Sequence, residues 1–227
     1  MHIEILTEDS SSQRLLEHLL PKVIGPHGQP HVWRFHSYRG IGRIPSGMSA
    51  TSDPSKRILL TELPRLLKGY VKSAGYDAVV VVMDADNRDC VAFLAELKAL
   101  AASCGASHMV LFRLAIEEIE AWYLGDRVAL QHAYPNARMR PLDGYTQDSV
   151  CGTWELMAEA VHPGGVRAVK RAGWPLPGQI KHEWAERIGP FLDPERNLSP
   201  SFAKFRDGVR RLAGTPSSDH PMADVPP

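Results

Sequence analysis

The feature that most constrains this chain is the run Ala78-Val79-Val80-Val81-Val82-Met83, followed by Asp84. An unbroken β-branched stretch, with no polar residue on either side of the pleat, suits a central parallel strand covered on both faces. Such a strand needs neighbours and covering helices, and the surrounding sequence supplies them. His2–Thr7 predicts a short strand. Ser10, Ser11 and Ser12 offer capping hydroxyls to a helix from about Ser11 into the low twenties, with Leu15, Leu16, Leu19, Leu20 and Val23 at helical spacing. His31–His36 predicts a second strand and Arg57–Ala74 a helix that tolerates Pro64. Val91–Ala102 reads as another helix, Ser107–Arg113 as a strand, and Ala115–Gly125 as a helix directly behind it. Strands alternating with helices imply βαβ units and a mostly parallel sheet, so the fold class is α/β.

From Tyr134 the texture changes. β-branched runs vanish, Pro and Gly multiply, and Trp154–Val161, Ile180–Ile188 and Ser201–Leu212 have helical spacing, with Ser201 a candidate cap for the last. The expected organisation is an α/β core over 1–133, a mainly helical extension over 134–213 and a Pro/Ser-rich disordered tail over 214–227. Ser37–Ser55 is expected to be a long loop.

The 26 basic and 26 acidic residues cancel, so total charge selects no partner, but their distribution is uneven. Between Arg34 and Lys72 eight basic residues face two acidic ones, and between Asp84 and Asp126 eight carboxylates face three basic residues. Cys90, Cys104 and Cys151 have neither zinc-ribbon nor disulfide-framework spacing. No apolar run reaches the ~20 residues of a membrane span, and no signal-peptide pattern opens the chain. A soluble cytoplasmic protein is expected.

In parallel α/β sheets ligands bind beyond the carboxyl ends of strands. Glu8 and Asp9 follow the first strand, Asp84 and Asp86 the Val-rich one, and Glu117, Glu118 and Glu120 the third strong one. Gathered carboxylates repel each other, and a hard cation such as Mg2+ or Mn2+ relieves that repulsion. Each feature also has a plainer explanation. Asp86-Asn87 could be a turn, and Glu8 or Glu117-Glu118 the first-turn acids of helices. Together they point to a metal site built from Glu8, Asp84, Asp86, Glu117 and Glu120. Arg39 and Arg43, in a Gly-rich segment, and Lys181, in the extension, are candidate contacts for phosphate or for negative charge at that site. For Lys181 a surface position on a helix is the plainer explanation.

The segment Ile5-Leu6-Thr7-Glu8-Asp9 followed by a helix resembles the strand–Glu–Gly opening of toprim domains. These form the catalytic fold of topoisomerases, bacterial primases and overcoming-lysogenization-defect nucleases. Asp84-Ala85-Asp86 resembles the toprim DxD, whereas Asp9 stands where toprim domains usually have Gly. A longer resemblance, through VVVVMDADNRDC (Val79–Cys90), FRLAIEEIEAWYLGD (Phe112–Asp126) and IKHEWAERIGPFLDPERNLSPSF (Ile180–Phe202), is to a bacterial family of unknown function with a toprim-like core. The resemblance implies a toprim-like sheet, Glu8 as general acid/base or metal ligand, and Asp84 and Asp86 as the metal pair. Glu120, with Glu117 or Glu118, would supply ligands for a second metal. It also implies a nuclease acting on nucleic acid, often paired with an SMC/ABC-like ATPase in antiphage defence. A homo-oligomer is compatible with it. The alternative is a non-catalytic module docking on such an ATPase. A phosphoacceptor receiver domain fits less well, because the acid pair here follows the middle strand.

Overall fold

The computed structural model describes residues 1–39, 59–73, 75–173 and 175–214. Four strands, β1 (His2–Thr7), β2 (Val32–Ser37), β3 (Ala78–Asp84) and β4 (Val110–Ala115), form one sheet in the order β2-β1-β3-β4. Every pairing is parallel, with Ile5 opposite Val80 and Phe35, and Val82 opposite Arg113. The chain is therefore α/β, and this architecture is consistent with a toprim-like core.

All seven residues of β3 are buried. Strand periodicity divides them between two layers. Val80 and Val82, with Ile3 and Ile5 of β1, pack against α1 (Ser10–Ile24). Val79, Val81 and Met83, with Leu6, pack against α2 (Leu59–Lys72) and α3 (Cys90–Ser103). The first layer continues without a break into the helices beyond residue 119. These are α4 (Glu120–Leu124), α5 (Arg127–Ala133), α6 (Thr153–Val161), α7 (Gly165–Ala172), α8 (Leu176–Ile188) and α9 (Pro200–Leu212). Trp122, Met157, Trp184, Phe202 and Phe205 share one hydrophobic cluster with Ile3 and Val80. The change of composition near residue 134 thus marks helices that cover one face of the sheet.

Several expectations are corrected. Asp9, not a serine, caps α1: its carboxylate accepts from Ser12 N at 2.7 Å and Ser11 Oγ at 2.9 Å. Ser199, not Ser201, caps α9, accepting from Phe202 N at 3.1 Å. The third strong strand runs to Ala115, so no helix spans Ala115–Gly125. Glu117, at φ +60°, turns the chain there and α4 starts only at Glu120. Helices α5 and α7 were not foreseen; α5 is capped by Asp126. The loop expected over Ser37–Ser55, apart from 37–39, and the tail over 215–227 lie outside the described residues. No described helix is long and apolar enough to cross a membrane.

Candidate metal centre

The strand order changes direction between β1 and β3: from β1 the chain goes to β2 on one side, and β3 then pairs on the other. The carboxyl ends of β1 and β3 flank this switch point, where open α/β sheets leave a crevice. Glu8 follows directly on β1 and Asp84 is the last residue of β3. One contact joins them: Asp84 N donates to Glu8 Oε2 at 3.1 Å.

Three further charged groups converge there. Lys181 of α8 places Nζ 3.2 Å from Glu118 Oε1 and 3.5 Å from Glu120 Oε2. Asp84 and Glu120 are almost wholly buried, at 6% and 1% exposure. Burial is the main reason the carboxyls resist ionisation. It raises Glu8 to about 7, helped by the charges of Asp9 and Asp86, against the hydrogen bond from Asp84 N and the charge of Lys181. Burial and then Glu120 raise Glu118 to about 7, although Lys181 opposes this. Burial, then Glu8 and Glu120, lift Asp84 well above the usual carboxylate range. Glu120 is raised by burial despite Lys181. Burial alone would lower the Lys181 ammonium; Glu120, Glu118 and Asp84 outweigh it and hold the proton on. Four carboxyls thus share one ammonium, and two buried oxygens beside them, Glu118 Oε2 and Tyr123 Oη, have no hydrogen-bond partner among the described residues.

Contacts between the segments 112–126 and 180–202 build this arrangement. Within IEAWYLGD, Trp122 Nε1 donates to Ser201 Oγ at 2.9 Å, and Trp122 O accepts from Asn197 Nδ2 at 2.7 Å. Gly125 O accepts from Leu198 N at 2.9 Å, and a Cβ on Gly125 would stand 2.1 Å from Asn197 Oδ1. Asp126 accepts from Arg196 Nε and from Asp193 N, at 2.8 and 2.9 Å. A five-residue helix has little stability of its own. These contacts hold α4, and with it Glu120, against the loop that leads into α9. On α8, Ile180, Trp184, Ala185 and Ile188 are buried, and this anchors the helix that carries Lys181.

Not every expected site residue joins the cluster. Both oxygens of Glu117 accept backbone N–H groups at the start of α6, from Cys151 at 3.2 Å, Gly152 at 2.7 Å and Thr153 at 2.9 Å. Glu117 therefore caps α6 in this structure, and it is Glu118 that meets Lys181 beside Glu120. Asp86, at φ +50°, pairs its backbone with Glu117, N to O at 2.8 Å, and its carboxylate is half exposed, 3.9 Å from Arg88. It still lies close enough to raise Glu8. Arg39 is exposed just beyond β2, at the same end of the sheet; Arg43 lies outside the described residues. Tyr123 is also beside these acids, although by sequence an aromatic among Ala121, Trp122 and Leu124 looks like core.

The donor set is one of hard oxygens, as Mg2+ or Mn2+ prefers, and Glu118 Oε2 has an unused lone pair beside it. In that chemical sense the residues fit a divalent cation. The geometry is not closed around one: among the described residues, no three His, Cys, Asp or Glu side chains form a preassembled ligand group. Comparison with protein-family models, with curated proteins and with solved structures gave no match.

Proposed function

We propose that this chain is a toprim-like, divalent-metal-dependent phosphodiester nuclease whose centre lies at the ends of β1 and β3. The observation that carries the reading is the surplus of buried carboxyls there: Glu8, Asp84, Glu118 and Glu120 share the single charge of Lys181. A cluster in which burial opposes the ionisation of several acids suits either a cation or proton transfer, and metal-assisted phosphoryl chemistry uses both.

Glu8, Asp84, Glu118 and Glu120 would hold Mg2+ or Mn2+, with Asp86 at the solvent side. Once bound, the cation supplies positive charge to phosphodiester oxygens and lowers the pKa of water. The chain's own groups do the rest. Glu8 would serve either as a ligand or, where it does not touch the cation and burial holds it at about 7, as the group that gives and takes a proton at neutral pH. Lys181 keeps a fixed positive charge beside the carboxylates. Arg39 offers a phosphate contact that positions nucleic acid without reading its bases.

A cytoplasmic setting and pairing with an SMC/ABC-like ATPase, as the effector of a defence system, complete the reading. The three cysteines, all free, suit a reducing compartment. A second reading, a non-catalytic docking subunit of that ATPase, draws on Lys181: an ammonium already sits among the carboxylates where a cation would bind.

The test is cleavage of supercoiled DNA and of single-stranded RNA, with Mg2+, Mn2+ or EDTA, by the chain alone and with an ATPase of this type. Metal-dependent cleavage that disappears in Asp84→Ala supports the enzyme. Equal products from wild type and variant end the enzyme reading of this centre, and no products in any arm while the two proteins co-purify support the docking subunit.

A further inference from the structure

Helix α3 has more apolar surface than the sheet covers. Its sequence, CVAFLAELKALAAS, is apolar almost all round, a pattern that normally means burial on every side. Yet only Phe93, Leu97 and Ala101 are buried. Val91, Leu94, Ala95 and Lys98, at i, i+3, i+4 and i+7, form a second face. Val91 is 81% exposed, the most of any large apolar side chain among the described residues.

That face is one wall of a cleft of about 330 Å³. The edge strand β4 forms the floor with Phe112, Leu114 and the following Ile116, and α9 forms the far wall with Ser201 and Lys204. Arg113 braces the cleft: its guanidinium lies over Gly208, and Nε donates to Lys204 O at 2.7 Å. The charges are one-sided. Lys98, Arg113 and Lys204 line the cleft against one carboxylate, Asp148. Asp148 is already engaged, accepting from Ser199 Oγ at 2.7 Å and Ser201 N at 2.6 Å. The exposed Lys98 and Lys204 form no ion pair among the described residues. An aliphatic trough with unpaired ammonium groups at its rim complements a molecule with an apolar chain and one negative end.

We propose that this cleft between α3, β4 and α9 binds a medium-chain acyl carboxylate. The chain lies against Val91, Leu94, Leu114 and Ile116, and the carboxylate meets Lys98 and Lys204. The site is distinct from the acidic cluster and does not depend on the nuclease reading.

The experiment is a titration of the full chain with octanoate, followed through the methyl NMR signals of Val, Leu and Ile, with octylammonium and 1-octanol as controls. Saturable shifts at Val91, Leu94, Leu114 and Ile116 are expected, with both controls weaker by about tenfold or more. The exposed pair Lys98→Glu/Lys204→Glu should weaken octanoate by a similar factor, and Leu94→Arg should abolish the shifts while the remaining methyl spectrum stays that of the folded protein. Absence of saturable shifts overturns the proposal, as does equal affinity for octylammonium. Self-association that Leu94→Arg abolishes also overturns it, because a second copy of the chain would then fill the cleft.

Discussion

The backbone N–H of Asp84 donates to the carboxylate of Glu8 across the switch point of the sheet, at 3.1 Å. The acid after the first strand is thereby tied to the end of the third. A strand register that places Thr7 beside Val82 brings these two residues together, and burial then makes both reluctant to ionise.

The first consequence concerns pH. Glu8 and Glu118 are raised from 4.5 to about 7 in the folded chain. Between these values the folded state binds more protons than the unfolded one, so stability must fall as pH rises through that window. For Glu8 alone the loss is about 3 kcal/mol. Urea unfolding in EDTA should show greater stability near pH 5 than near pH 8, and a divalent cation should shrink the difference. A metal-free protein that gains stability over this range would contradict the shifts.

Among the described residues, Lys181 is the one ammonium beside these acids. Lys181→Met leaves Glu118 and Glu120 without it, and breaking such a buried pair costs about 3–5 kcal/mol. Thermal unfolding should register that loss in EDTA. Mn2+ should restore more stability to the variant than it adds to wild type, because it replaces a missing positive charge.

Glu117 and Glu118 are adjacent, yet they should behave differently. Glu117→Ala removes the acceptor for three N–H groups at the start of α6 and should cost about 1–2 kcal/mol, as loss of a cap does. Mn2+ affinity should stay within about twofold of wild type. Glu118→Gln should weaken Mn2+ and cost less stability than Lys181→Met, because Lys181 keeps Glu120 and the variant removes a carboxyl that burial and Glu120 disfavour. Paired calorimetric and unfolding measurements separate the two.

Much of this was legible from residue patterns. β3 announced itself because burial on both faces leaves no polar position in the strand, and strand ends then located Glu8 and Asp84. What was not legible depends on contacts distant in sequence. The turn at Glu117 is made by backbone pairing with Asp86, so the helix that the spacing suggests from Ala115 begins only at Glu120. Lys181 meets Glu120 across 61 residues, and nothing local distinguishes it from a surface lysine. Ser199 and Ser201 are equally good caps by type, and only the structure shows that Ser199 caps α9 while Ser201 receives the indole N–H of Trp122.

Arg39 lies exposed beyond β2, at the same end of the sheet as the acidic cluster. If it contacts a phosphate, Arg39→Ala should weaken nucleic-acid binding and reduce the slope of log affinity against log salt by about one. Fluorescence anisotropy across a salt series measures this; an unchanged slope removes Arg39 from the interface.

The most direct test of the central claim is Mn2+ binding, followed by electron paramagnetic resonance, to wild type and to Asp84→Asn. The account predicts saturable binding by wild type near neutral pH and its loss in the variant, while the variant remains folded and at least as stable in EDTA. Equal binding by the two proteins, or none by wild type, would contradict a metal centre at the ends of β1 and β3.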